Sequence, residues 1–248
     1  MSDSVVAPAT RHRVAGIAVR DVTVVVPTRN EAANVGRFLT SLPTDVALVV
    51  VDASDDDTPD LIERIRPSAT VLRERAHIAE ARQIGADAAT TPWVVCTDID
   101  VAFAPDYFDV LAAHPVGPHD GVVCGAKLST GDHAAYYRLF TRGSALLTQL
   151  GLPAASGSNM VVRTEALADA GGFDLELRCN EDSEVVWRIR GGGWTVGYLE
   201  ALAVHAFDHR RLERGRVRKT LHSLFRCGLL YSGLMNERVR RSDWGYWS

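Results

Sequence analysis

Short apolar runs separated by polar turns divide the chain into alternating strands and helices. Val22-Thr23-Val24-Val25-Val26 is a β-branched run stopped by Pro27, the pattern of a buried parallel strand. Val35, Phe38, Leu39 and Leu42 then recur at helical spacing behind Asn30, a residue suited to capping, and Pro43 ends the helix. A second buried strand over 46–51 runs into the acidic turn Asp52-Ala53-Ser54-Asp55-Asp56-Asp57-Thr58 and a helix over 58–66. Val71-Leu72 marks a third strand, an alanine-rich helix covers 78–89, and a fourth strand covers 93–97. Strand and helix alternating with short connections predict an α/β fold with a mostly parallel, Rossmann-like central sheet flanked by helices. Ligands of such sheets bind beyond the carboxyl ends of the strands, where Thr28, Asp52 and Asp98 all fall.

The second half is patterned differently. It predicts a short helix over 106–113, a strand over 122–128 and an amphipathic helix over 134–150. A strand over 157–163 is entered through the small residues Gly157 and Ser158, and a helix over 165–170 stops at Gly171-Gly172. After a polar loop, a helix over 181–190 turns Val185, Val186 and Ile189 inward, and a strand over 194–199 is followed by His205. A long basic helix over 213–233 and a tail with Trp244, Tyr246 and Trp247 close the chain. With no repeats, the economical division is a flexible leader over 1–20, one α/β domain over 21–209, and a C-terminal helical extension over 210–248 packed on or near the functional edge.

Bulk composition narrows the function classes. The chain has 248 residues and a net charge of −4, so no global field recruits nucleic acid. The charge is uneven: Arg210, Arg211, Arg214, Arg216, Arg218 and Lys219 are opposed nearby only by Glu213, which asks for an anionic partner. That helix is expected to bind a diphosphate, an anionic acceptor or the surface of a membrane, or else to be a solvated face. Cys96, Cys124, Cys179 and Cys227 are scattered without metal-site spacing, which fits a reducing compartment. Without a signal-like start or an apolar run of about 18 residues, the expected location is the cytoplasm, including peripheral contact with the inner membrane face.

The chemistry centres on Thr97-Asp98-Ile99-Asp100. Residues i and i+2 of an extended chain point to one side, roughly 6–7 Å apart, so both carboxylates can reach one divalent cation directly or through water. Taken alone, the same residues also describe a solvated turn. Glu181-Asp182 is equally double-valued, since acidic residues suit the first turn of a helix.

The ordered set of motifs is more specific than any one of them. Val24 to Glu31, Val50 to Thr58, Ala81-Arg82-Gln83-Ile84-Gly85-Ala86, Thr97 to Asp100, and Gly171-Gly172-Phe173-Asp174 followed by Asn180-Glu181-Asp182 stand in that order. Together with the stretch from Trp194 to His205, they resemble the family 2 glycosyltransferases, which have the GT-A fold. The resemblance implies a single GT-A domain and a metal-dependent, inverting, non-processive transfer of sugar from a nucleoside diphosphate sugar. A UDP-sugar is favoured over a GDP-sugar, and the acceptor is a small molecule, a lipid-linked group or a glycan. Asp182 would be the general base, with Glu181 beside it. Thr28, Asn30, Glu31, Asp52, Arg82 and Asp98 would hold the donor, and Asp100 and His205 the metal, Mn²⁺ or Mg²⁺. Gly157, Ser158 and Asn159 would lie on the donor-sugar or acceptor side.

There are departures from the family pattern. Val51-Asp52 stands where two aspartates are usual, Gln83 replaces a commoner asparagine, and the Q-x-x-R-W motif of processive synthases is absent. Two other classes remain open at this point: a nucleotidyltransferase, although no glycine-rich phosphate loop follows the first strand, and a binding module that has lost its chemistry.

Overall fold

The computed structural model describes residues 16–129, 133–152, 155–207, 225–232 and 237–242. In chain order the strands are β1 (Val22–Thr28), β2 (Ala47–Asp52), β3 (Thr70–Arg73), β4 (Trp93–Thr97), β5 (Val101–Phe103), β6 (Asp120–Leu128), β7 (Asn159–Arg163) and β8 (Thr195–Ala206). The helices are α1 (Ala32–Thr40), α2 (Thr58–Ile65), α3 (Ile78–Ala88), α4 (Tyr107–Ala113), α5 (Ala134–Gln149), α6 (Thr164–Asp169) and α7 (Glu181–Gly191). Two more helices follow, α8 over 225–231 and α9 (Glu237–Arg240).

All eight strands form one sheet in the order β3-β2-β1-β4-β7-β6-β8-β5. The first half is the predicted parallel array, with β1 central and its β-branched residues Val22, Val24, Val25 and Val26 fully buried. Valine suits this strand because successive branched side chains pack against alternate faces, Val22, Val24 and Val26 on one and Val25 on the other. The second half is mixed: β7 runs antiparallel to both β4 and β6, β8 is parallel to β6, and β5 is antiparallel to β8. The sequence pattern did not foresee β5, a three-residue strand immediately after the D-x-D. The last strand is also longer than its apolar pattern, and His205 lies within it rather than beyond it. Exposed Glu200 and Ala201 interrupt the hydrophobic alternation of β8, and its pairing with β6 jumps in register between Gly125 and Ala126.

One apolar layer packs between the sheet and α1, α2 and α4, and a second between the sheet and α3, α6 and α7. Helix α3 lies so close to β1 that a methyl group on Gly85 would collide with the side chain of Val25. Asn30 does not cap α1. Its backbone is left-handed (φ 55), Glu31 takes the cap position, and the Asn30 side chain instead accepts a hydrogen bond from Asp55 N–H at 2.8 Å. Asparagine tolerates this region because its short polar side chain bonds locally.

The described part of the C-terminal extension packs against α7 and the segment leading into it. Tyr231 stacks on Trp187 with ring centroids 4.5 Å apart, and Arg241 pairs with Glu176 at 2.6 Å. Residues 1–15 of the expected leader, the basic stretch 210–219 and the aromatic tail 244–247 lie outside the described residues, whereas Ile17, within the stretch expected to be flexible, is buried and its N–H donates to Leu111 O at 3.2 Å.

Asn159 ties the mixed half together. It is fully buried, and its amide donates to Ala126 O at 2.9 Å and Leu202 O at 2.8 Å while its oxygen accepts from the Tyr107 hydroxyl at 2.8 Å. The side chain therefore joins β7, β6, β8 and α4 from within the core. Removing it orphans three buried polar groups, each costing about 1–3 kcal/mol. Asn159→Ala should accordingly lower the unfolding free energy by several kcal/mol in urea titrations, and a loss below about 1 kcal/mol would contradict this role.

Candidate active site

The site lies at the carboxyl edge of the parallel half-sheet. Thr28 and Asp52 end β1 and β2 and are paired in register. The Thr28 hydroxyl donates to Asp52 Oδ1 at 2.6 Å, the Ser54 hydroxyl donates to the same oxygen at 2.7 Å, and Ser54 N–H donates to Oδ2 at 3.1 Å. A carboxylate has about four acceptor positions, so Asp52, only 4% exposed, retains about one for a ligand. Asn30 N–H donates to Ser54 Oγ at 2.8 Å, and Glu31 N–H donates to Thr58 Oγ1 at 2.9 Å. The loops after β1 and β2 thus form one unit. Glu31 also accepts from Asn34 in its own helix at 2.5 Å.

Arg82, on α3, is the hub of the second cluster. Its guanidinium is buried, donates to Gly157 O at 2.8 Å and to Asp98 Oδ1 at 3.0 Å, and faces Glu181 Oε1 at 3.4 Å. A Cβ at Gly157 would come within 2.5 Å of the Arg82 guanidinium, so a larger residue there would have to displace it. Gly157 N–H donates to Asp182 Oδ2 at 2.6 Å, and Asp182 Oδ1 accepts from Ser183 N–H at 2.6 Å. Ser158 donates its hydroxyl to Asp98 Oδ2. One arginine therefore links the D-x-D, the turn before β7 and the E-D pair at the start of α7. Asn180, in a left-handed conformation (φ 63), sets the angle at which that pair enters.

Three carboxylates share this one guanidinium. Although burial opposes its charge, Glu181 and Asp98 outweigh that and hold Arg82 above the ordinary arginine pKa. Burial raises the Glu181 carboxyl to about 7, with Arg82 pulling it down and Asp182 adding to the rise. Glu181 is the most deeply buried of the three, and its carboxyl takes up a proton at a higher pH than an ordinary glutamate.

Asp98 and Asp100 flank the turn between β4 and β5. The backbone of that turn is held from just beyond β8, where Phe207 N–H donates to Asp100 O at 3.1 Å, and within β8 His205 stands opposite Ala102, two residues from Asp100. Two carboxylates and an imidazole thus come to one short stretch of sheet. This donor set suits a hard divalent ion, Mn²⁺ more than Mg²⁺ because of the nitrogen. Among the described residues no three His, Cys, Asp or Glu side chains are already gathered as ligands. Sequence reasoning missed Lys127, whose ammonium lies 3.9 Å from Asp98 Oδ2 and 4.0 Å from Asp100 Oδ1 and donates to Ser158 Oγ at 2.8 Å. Its signal was present as a lone charge at the end of the apolar run from Val122 to Leu128.

The site residues fall into two groups, with His205 and Asn159 outside both. Thr28, Asn30, Glu31 and Asp52 form the first, and Arg82, Asp98, Gly157, Ser158, Glu181 and Asp182 the second, with Asp100 joined to it through Lys127. His205 approaches through the backbone of β8, whereas the Asn159 side chain belongs to the core. A separate cleft of about 850 Å³, lined by residues including Arg37, Pro43, Phe103 and Phe108, holds none of them.

Polar groups gathered beyond the carboxyl ends of a parallel half-sheet stand where α/β proteins of this architecture bind their ligands. Residues 23–171 match the model for glycosyl transferase family 2, and the chain belongs to that family. It is 29% identical over 205 residues to a pre-mycofactocin glycosyltransferase of Mycobacterium tuberculosis, covering 77% of this chain but only 43% of that protein. It is 31% identical over 184 residues to an uncharacterised glycosyltransferase of Mycobacterium bovis, covering 72% of this chain and 83% of the relative. Among solved structures, a mannosyltransferase from Pyrobaculum calidifontis in complex with GDP-Man and Mn²⁺ superposes with a TM-score of 0.61 at 26% identity, over 78% of this chain and 60% of that one. TarS of S. aureus in complex with UDP-GlcNAc shares the fold, with a TM-score of 0.59 at 19% identity over 76% of this chain and 59% of that one. The expected GT-A architecture is therefore the observed one.

The Glu181 environment has a measurable consequence. Its folded pKa of about 7 lies above the value of about 4.5 for a solvated glutamate, so its contribution to stability is full below pH 4.5 and is lost as pH rises through 7. A shift of this size is worth up to roughly 3 kcal/mol. The melting temperature of the wild type relative to Glu181→Gln should fall between about pH 4.5 and 7 and level off above. A pH-independent difference would show that Glu181 is not held this way.

Proposed function

We propose that the protein is a metal-dependent, inverting, non-processive glycosyltransferase acting on a nucleoside diphosphate sugar. The observation that carries this reading is the Arg82 hub, which binds the D-x-D, the Gly157 turn and the E-D pair into one cluster beside the nucleotide edge. The curated relatives bear glycosyltransferase names, and the archaeal mannosyltransferase holds GDP-Man with Mn²⁺.

Asp52 would take the nucleobase through its remaining acceptor position. An imide N–H of uracil or the corresponding N–H of guanine meets that need, so UDP- and GDP-sugars both fit, with UDP-sugars the first choice. Thr28, already bonded to Asp52, would line the base, and Asn30 and Glu31 would close the loop over it. Asp98, held by Arg82 and Ser158, would face the ribose, and Arg82 would set the field around the diphosphate. Asp100 and His205 would hold the divalent ion, Mn²⁺ or Mg²⁺. Such an ion supplies Lewis-acid neutralisation of charge on the leaving diphosphate.

Asp182 would act as general base. The acceptor oxygen attacks the anomeric carbon as the bond from that carbon to the diphosphate oxygen breaks on the opposite face, so configuration inverts. The acceptor proton passes late to Asp182 and later to water. Hydrogen bonds from Gly157 N–H and Ser183 N–H fix the carboxylate's orientation without neutralising it. Glu181 behind it adjusts the field. Gly157 and Ser158 would border the acceptor side, and Asn159 would support them from the core.

The acceptor is a hydroxyl-bearing small molecule, lipid-linked group or glycan. No described helix is long and apolar enough to cross a membrane. The proposed site of peripheral membrane contact is the basic C-terminal stretch, and the proposed compartment is the cytoplasm.

Asp182→Asn should lower sugar transfer at least a thousandfold while UDP or GDP binding in the presence of Mn²⁺ changes less than threefold. Nucleoside diphosphate release and calorimetry measure the two, and undiminished turnover would remove Asp182 from the mechanism.

A further inference from the structure

We propose that Lys127 is a resident cation shared between Asp98, which Arg82 also holds, and Asp100: its ammonium competes with a free divalent ion for these carboxylates, and it pairs with the diphosphate once the donor is bound. The inference rests on the reading of the D-x-D as a metal–diphosphate site.

The Lys127 side chain is only 16% exposed, although lysine is among the residues least often buried without a partner. It sits at the end of β6, where its own carbonyl accepts a hydrogen bond from Thr141 at 3.4 Å. From there the ammonium lies almost equidistant from the two aspartates, at 3.9 and 4.0 Å, which is attraction across space rather than hydrogen bonding. Its direct bond goes to Ser158 Oγ at 2.8 Å, and the Ser158 hydroxyl in turn donates a hydrogen bond to Asp98 Oδ2. The ammonium therefore offsets the negative charge of both carboxylates without being locked to either.

That arrangement suits exchange. A lysine ammonium is a compact point charge on a flexible four-carbon stem, whereas Arg82 is fixed by three partners and cannot move aside. A divalent ion approaching the bare protein meets a like charge within about 4 Å of both carboxylates, which weakens its binding. When a nucleoside diphosphate arrives with the ion, its negative oxygens give the displaced ammonium a new partner. Lys127 thus opposes metal without donor and favours metal with donor, which makes loading of the two cooperative.

The test uses Lys127→Met and, in case that variant melts early, Lys127→Gln. Free Mn²⁺ is followed by electron paramagnetic resonance without nucleotide, and UDP and GDP are titrated calorimetrically at saturating Mn²⁺. The expected result is Mn²⁺ affinity at least tenfold tighter in the variants, with UDP or GDP affinity at least tenfold weaker. Wild-type binding of Mn²⁺ with no tightening in either variant overturns the role of Lys127 alone. Mn²⁺ failing to bind the wild type, with and without UDP or GDP, overturns the underlying metal-site reading and this inference with it.

Discussion

A buried guanidinium needs carboxylates, and the architecture of the site follows from meeting that need at Arg82. Burying an unpaired charge would cost several kcal/mol, so the fold must bring anions to α3 from elsewhere in the chain. It brings Asp98 from the end of β4, Glu181 from the start of α7, and the Gly157 carbonyl from the turn before β7. These partners come from widely separated parts of the sequence and both halves of the sheet. Breaking any one leaves the others with an uncompensated charge, so the cluster is held as a unit.

The same constraint sets the electrostatics. One guanidinium cannot neutralise Asp98, Glu181 and Asp182 together, and the most buried of the three, Glu181, is pushed towards protonation. Asp182 keeps its orientation from two backbone N–H groups. Lys127 supplies a second positive charge on the far side of Asp98. Among the described residues the site therefore sets two cations, Arg82 and Lys127, against Asp98, Asp100, Glu181 and Asp182.

Much of this was legible in the sequence because it depends on local pattern. The valine runs, the carboxyl-edge placement of Thr28, Asp52 and Asp98, and the glycine stop at Gly171-Gly172 all follow from short-range signals. What escaped depends on long-range pairing. The antiparallel insertion of β7 between β4 and β6 cannot be read from the apolar run of β7 itself. Asn159 looked like a residue of the site edge because Gly157 and Ser158 precede it, yet strand alternation turns its amide into the core. Asn30 had the chemistry of a helix cap, but the loop needed a left-handed residue more. Lys127 was visible only as a charge out of place, and its partners lie across the sheet.

The most direct measurement of the Arg82 hub is calorimetric titration of UDP and GDP, with Mn²⁺, into the wild type and Arg82→Lys. Lysine retains the charge but cannot span Asp98, Glu181 and the Gly157 carbonyl at once. Circular dichroism of the two proteins should match while nucleotide affinity falls at least tenfold. Undiminished binding by the folded Arg82→Lys protein would contradict the claim that this guanidinium assembles the site.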